Sequence, residues 1–296
     1  MTSIGILNRI ILATYVSVTC LGAADWYALY KSGVEKLSRR MLVEARRDLR
    51  SSLDAAGAGG VAGGQRAEIL HVLGQVEFQM GRLRPSISYH ERALGLVPPA
   101  DRTADLFNIA QAYRELGEAR TAERYAREAM ALSAEDPRIL RLLGSVLIQQ
   151  RKYPEAEVVV RRALGKGDAA ITAMVWTDLA TIEEARGRYA PAAEMLQRAI
   201  DGMAASHARG RVLSNLSVLE QRLKRYREAA LHARQAVGEI EAHAGPQHPD
   251  LCATLERYAD ALRHSGRAEE AKQAAQRARQ IHALIGATVD WRSAKK

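Results

Sequence analysis

A turn residue returns along this chain about every 36 residues: Gly81, Gly117, Arg151, Gly187, Lys224 and Gly266, at intervals of 36, 34, 36, 37 and 42. Two positions after each stands Leu83, Ala119, Tyr153, Tyr189, Tyr226 or Ala268. Three further on comes a small residue, Ser86, Ala122, Ala156, Ala192, Ala229 or Ala271. Seven beyond that, an alanine recurs without exception: Ala93, Ala129, Ala163, Ala199, Ala236 and Ala278. Self-similarity of this period requires a stack of supersecondary units, each burying its apolar face only against its neighbours.

Within a unit the apolar residues follow a two-helix pattern. Trp176, Leu179, Ala180 and Ile182 recur at helical spacing, Gly187 interrupts, and Ala192, Leu196, Ala199 and Ile200 share one face of a second helix. Alanines at the contact let two helices approach closely, while larger side chains fill the space between pairs. Proline tests the register independently, because it is costly inside a helix but tolerated in the first turn and in loops. Pro85, Pro154 and Pro191 fall in the first turn of a second helix; Pro98, Pro99, Pro137, Pro246 and Pro249 fall between units. Units are expected to begin near Ala67, Thr103, Pro137, Ala173, Gly210 and Cys252.

Upstream, residues 25–56 read as one more, degenerate, helix pair. The stretch 57–66, rich in glycine, reads as a flexible linker; no Gly-Lys-Ser/Thr follows it, so it is not a phosphate loop. Repeats occupy 67–285. Gly286 is expected to cap the last helix, leaving 286–296 as a tail. Residues 1–24 hold one charge, Arg9, then an uncharged stretch ending Gly22-Ala23-Ala24. This pattern suits a secretory signal peptide, or an N-terminal anchor over residues 10–24 if uncleaved, although a full span wants roughly 20 apolar residues. A periplasmic or secreted location in a bacterium is the expectation, with membrane anchoring as the alternative.

The net charge of +9 arises from 43 basic and 34 acidic residues interleaved through every unit. Dense basic runs with stacking aromatics are missing, so solvated helix faces are expected and nucleic acid is not. Cys20 and Cys252 are the two cysteines; loss of the first with a signal would leave Cys252 without an intrachain partner.

These positions resemble the tetratricopeptide repeat. Leu73-Gly74, Gly81, Ala93 and Pro98 fill the first strong copy; Ile109-Ala110, Tyr113, Gly117, Ala122 and Ala129 the second. Leu143-Gly144, Ala156 and Ala163 fill the third, and Trp176, Leu179-Ala180, Gly187, Ala192 and Ala199 the fourth. A fifth copy has Lys224 in the glycine place. The sixth, from His248-Pro249-Asp250 to Ile281, looks like the 42-residue form of kinesin light chains. The resemblance implies an all-α fold, a right-handed superhelical solenoid of antiparallel helix pairs, whose concave groove receives a peptide or helix of a partner protein.

By repeat position, the partner-binding groove would include His71, Gln75, Asn108, Gln111, Arg138, Arg141, Ser145, Thr177, Asp178, Thr181, Ser214, Asn215, Glu256, Asp260 and Arg263, with Arg138 and Arg141 forming a cationic point. A family clamp for a terminal carboxylate is incomplete here: Asn108 and Arg138 fit, but His71, Gln75 and Leu142 replace its other members. Glu77, Glu183 and Glu220 stand where the family prefers large apolar groups, each followed five residues later by an arginine (Arg82, Arg188, Arg225) expected to pair with it locally.

The histidines are scattered, and neither His-Glu-x-x-His nor Cys-x-x-Cys occurs, so no metal, cofactor or catalytic group is expected. The chain therefore reads as a non-catalytic scaffold. A basic adaptor for an anionic polymer and a purely structural spacer are the alternatives.

Overall fold

The computed structural model describes residues 23–293, with side chains described for 26–285; the expected signal segment and Cys20 lie outside these. Fourteen α-helices and one 3₁₀ turn make up the described residues, with no strand. The chain divides into two compact units between Gly117 and Glu118.

The first unit contains α1 (Ala23–Ser38), α2 (Leu42–Ala58), α3 (Gly63–Gln79), α4 (Leu83–Leu94) and α5 (Thr103–Glu115). Each packs against the next along the chain. Ala45 and Leu49 of α2 meet Ile69, Leu73 and Val76 of α3 in one fully buried cluster with Trp26. Ala67, Leu70 and Ala93 join α3 to α4.

The second unit contains α6 (Ala119–Leu132), α7 (Pro137–Gln149), α8 (Tyr153–Arg162), α9 (Ala169–Ala185), α10 (Tyr189–Asp201), α11 (His207–Arg222), α12 (Tyr226–Ala244), α13 (Asp250–His264) and α14 (Ala268–Ser293). Here too each helix packs on its successor, and first helices of adjacent pairs touch, α7 with α9 and α11 with α13. One core runs from Ala180 through Leu196 and Ile200 to Leu213 and Leu216; another joins Ile240, Leu251, Leu255, Leu262 and Ile281. The recurrent alanines are buried in both units, Ala93 in the first and Ala129, Ala163, Ala199, Ala236 and Ala278 in the second. Asp136, Asp168 and Ser206 accept from backbone N–H groups two or three residues on and so fix the starts of α7, α9 and α11.

The recurrent turn residue is explained by its backbone. Gly117, Gly187 and Gly266 have φ of +78°, +74° and +82°, and Arg151 and Lys224 adopt the same left-handed conformation at +60°. At the turns of Gly81, Arg151, Gly187, Lys224 and Gly266, the N–H after the turn residue bonds back to a carbonyl five residues earlier. Arg82 reaches Glu77, Arg188 reaches Glu183 and Arg225 reaches Glu220, all between 2.8 and 2.9 Å. This closes the exposed carbonyls at the end of the first helix. The Glu-to-Arg spacing of five is thus a backbone spacing.

Three sequence expectations change. The stretch 57–66 is not a flexible linker. Helix α2 runs to Ala58 and α3 starts at Gly63, and the N–H of Val61 bonds to Ala56 at 3.1 Å, with Gly60 left-handed at +64°. It is one more helix-closing turn, in which the glycine-rich composition serves conformation. Helix α14 also passes through Gly286 to Ser293, so no cap forms there and the tail is helical up to that residue; Ala287, a good helix former, and the lack of a following proline let it continue. The buried glutamates, finally, take partners that the sequence spacing does not name. Glu77 is fully buried and accepts from Arg46 Nε of α2 at 2.6 Å, while Arg82 stays 3.8 Å away. Glu220 meets His232 Nδ1 at 2.9 Å, without Arg225. Glu183 follows the expectation fully, with Arg188 at 2.6 Å, joined by Arg186 at 3.2 Å, and Glu77 follows it in part, since Arg82 remains an ion pair at its longer distance.

Candidate functional site

In the second unit α7, α9, α11 and α13 are the first helices of successive pairs, and most of the expected groove residues lie along them. Arg138, Thr181, Asn215, Glu256 and Arg263 are exposed; Arg141, Ser145, Thr177, Asp178 and Asp260 are half-buried. In the first unit, His71, Gln75, Asn108 and Gln111 are all half-buried on α3 and α5. Ser214 is the departure: it is 2% exposed. Its hydroxyl lies 3.2 Å from Thr254 Oγ1 and accepts from Arg257 at 2.8 Å. A small polar side chain one position off the exposed stripe turns inward and supports an arginine instead of facing a partner.

The expected cationic point is neutralised inside the protein. Arg138 donates through its backbone and guanidinium to Asp136, at 2.9 and 2.6 Å, completing the start of its own helix. Asp136 is held below the usual carboxylate range, as hydrogen bonds and charge from Arg138 outweigh the opposing effect of burial. Arg141 faces Asp178 across α7 and α9 at 3.7 Å. Ser145, Thr177 and Thr181 donate their hydroxyl protons to carbonyls of their own helices, leaving only acceptor capacity for an incoming group.

The uncompensated charge lies elsewhere. A hollow of about 550 Å³ opens where the last turns of α11 and α13 meet the start of α12, lined by Gln221, Arg222, Tyr226, Glu256, Arg257, Asp260 and Arg263 with Val218 and His264. Arg257 is half-buried, held by Ser214, and its carbonyl accepts from Gln221 at 3.1 Å. Among the described residues neither Arg222 nor Arg257 has a carboxylate partner. Arg263 pairs with Asp260 at 3.0 Å, and the imidazole of His264 stacks on Tyr226 with ring centres 4.6 Å apart. A guanidinium kept in place by a buried hydroxyl is a preorganised receptor for a carboxylate or another planar acceptor. Cys252, on the same helix, is a poor nucleophile because burial, and then Glu256, push its thiol pKa up.

Of the residues expected in the groove, Glu256, Asp260 and Arg263 line this hollow; Gln221, Arg222 and Arg257 line it too and were not among those expected. The signal was available in part: Val218, Gln221 and Arg222 continue, at helical spacing, the stripe that Asn215 begins. The support of Arg257 by Ser214, 43 residues away, was not.

Much of the remaining charge is spent on a ladder of ion pairs. Glu123 accepts from Lys152 and Arg127, Arg127 also reaches Glu155, and Arg186 bridges Glu157 of α8 and Glu183 of α9. The Glu123 carboxyl is lowered to about 2: burial raises it, but hydrogen bonds from Lys152, Arg127 and Gln150 prevail.

Comparison with known proteins agrees with this architecture. Two tetratricopeptide-repeat models match the sequence, over residues 106–136 and 210–250. A tetratricopeptide repeat protein from Parabacteroides merdae superposes with a TM-score of 0.62 at 17% identity, covering 87% of this chain and 93% of that one. PilW, a widely conserved type IV pilus biogenesis factor, gives 0.61 at 15% identity, covering 71% and 90%. The structure of the APC/C hetero-tetramer Cut9–Hcn1 gives 0.66 at 17% identity, covering 80% of this chain but only 43% of that one. No protein of curated function matches the sequence. Tetratricopeptide repeats are thus present in the chain, and its fold is the all-helical repeat fold of these structures.

Proposed function

We propose that this protein is a non-catalytic scaffold that holds a peptide segment or helix of a partner protein along the first helices of its repeats. The observation that carries the reading is the hollow lined by Arg257, whose guanidinium is held by Ser214 and makes no ion pair with Glu256 or Asp260 beside it. A partner supplying an acidic side chain would satisfy Arg222 and Arg257, while Glu256 and Asp260 would accept from N–H donors of the same partner. Arg138 and Arg141 serve the fold in this reading.

The test is binding of fluorescent peptides, acidic and basic, to the full chain. Arg222→Glu with Arg257→Glu should weaken acidic peptides by about tenfold or more while helical circular dichroism stays unchanged. Equal binding before and after the exchange would remove the hollow from the site. The charge of +9 also favours a second reading, an adaptor on an anionic polymer. Capture of polyanions, lost steeply as salt rises, would support that reading over the first. Binding of neither would leave a spacer.

Two further proposals rest on sequence. The N-terminal 24 residues direct export or anchor the chain; none of the described helices is long and apolar enough to cross a membrane. The kinesin-light-chain-like repeat draws support from the 42-residue interval between Lys224 and Gly266. The extra length lies in α12, of 19 residues, and the loop after it.

A further inference from the structure

Outside the hollow, two groups of ligating side chains gather in the described residues, and the more buried is His71, His90 and Asp105, contributed by three successive helices, α3, α4 and α5. Nδ1 of His71 and Nδ1 of His90 both lie on the same carboxylate oxygen of Asp105, at 2.8 and 2.6 Å. The ligand-capable atoms of all three residues fall within 4.8 Å of one another. His90 and Asp105 are 1% and 7% exposed, and His71, at 21%, forms the open lip. We propose that these three side chains form a binding site for a divalent transition-metal ion of the zinc class, with the fourth position open on the His71 side.

Two neutral imidazoles and a carboxylate are a ligand set such ions favour, and three protein ligands with one open position is a recurrent coordination pattern. The rearrangement required is small. Donors about 2.0–2.1 Å from zinc stand roughly 3.3 Å apart in a tetrahedron, so the two His–Asp separations must widen by about 0.5–0.7 Å. The half-exposed His71 has room to do this. Each ring keeps its single proton and moves it from Nδ1 to Nε2. On His71 that proton then meets the side chain of Gln75, now 2.9 Å from Nε2, whose amide turns to accept with its oxygen and orients the ring. On His90 the move exchanges the Nδ1–H bond to Asp105 for a bond to the metal and places the proton on the buried Nε2, which has no acceptor, so this ring is held by packing alone. The second histidine cluster, His207, His248 and Asp250, lacks this freedom. Nδ1 of His248 accepts the backbone N–H of Asp250 at 3.2 Å, and the groups stand at two helix starts, whose positive ends disfavour a cation.

The experiment is titration of the chelator-treated full chain with Co²⁺, read by visible ligand-field absorption, then displacement with Zn²⁺. One equivalent of Co²⁺ should give absorption that Zn²⁺ abolishes. His71→Gln and Asp105→Asn should each weaken binding about 100-fold or more, Gln75→Ala by about tenfold, and His207→Gln not at all. Helical circular dichroism of each variant checks that it folds, and His71→Gln, at the open lip, is the variant on which the assignment stands. No absorption with the unaltered chain would overturn the proposal. So would a signal that survives His71→Gln, or one lost on His207→Gln.

Discussion

Replacing Lys224 by glycine should make the protein more stable, although it removes a whole side chain. Lys224 occupies the left-handed position that closes α11, at φ +60°. A side chain in that conformation brings Cβ against the following carbonyl and costs roughly 1–2 kcal/mol. Glycine avoids the clash but gives up roughly 0.5–1 kcal/mol through its greater freedom in the unfolded chain. The net gain is about 0.5–1 kcal/mol. Nothing offsets it: the side chain is exposed, and the bonds from Lys224 N to Gln221 O and from Arg225 N to Glu220 O, at 2.9 and 2.8 Å, are backbone bonds that glycine keeps. For a unit of this size each kcal/mol moves the midpoint by about 2–4 °C, so a rise of roughly 1–4 °C is expected. The reciprocal change, Gly187→Ala, should lower it by a similar amount. A Cβ there meets nothing within 4 Å, so the cost is one of conformation alone. Thermal and urea denaturation followed by circular dichroism measure both. If Lys224→Gly is neutral or destabilising while Gly187→Ala is harmless, the left-handed turn is not what selects the recurring residue.

Other outcomes follow from contacts described above. Gly144→Ala would place a methyl 2.1 Å from Cγ2 of Val160, so a loss of about 1–3 kcal/mol is expected from overpacking; Val160→Ala in the same chain should recover part of it in urea titrations. Arg46→Ala leaves the fully buried Glu77 without its near partner and should cost about 3–5 kcal/mol, whereas Arg82→Ala should cost well under half of that. For pH, the Glu123 carboxyl sits at about 2 in the fold against an ordinary 4.5. Its contribution is complete above pH 4.5 and drains away as pH falls toward 2. Glu123→Gln should flatten stability between those limits, and an unchanged acid limb would mean that the Lys152–Glu123–Arg127 cluster contributes nothing.

What could be read from the sequence was whatever depends on local backbone or on periodic burial. The left-handed positions, the prolines at helix starts and the alanine columns obey rules of near neighbours, and they place the helices to within a few residues. Unit starts expected at Ala67, Ala173 and Gly210 fall instead at Gly63, Ala169 and His207, because a first helix extends past its apolar stripe until a cap such as Asp168 or Ser206 stops it. Side-chain partners were not legible where they come from another helix. Glu220 has an arginine five residues away yet takes His232, because that arginine's position is dictated by its backbone bond while α12 brings the imidazole alongside. The same limit hid His71, His90 and Asp105, whose spacings of 19 and 15 match no local motif. It also hid the support of Arg257 by Ser214. Composition misled at 57–66, where glycine supplied a turn and two helix ends rather than slack.

In the second unit the smallest residues hold the helix pairs at their working distance, and each pair takes its bearing from the one before. An enlarged alanine in such a column would act as a wedge whose tilt every later pair inherits. Angular error would then grow with distance along the unit, so a substitution near Ala163 could misalign Arg257 without coming near it. Tolerance to change in this unit should therefore be graded by how many pairs lie downstream, as well as by how tightly any one site is packed.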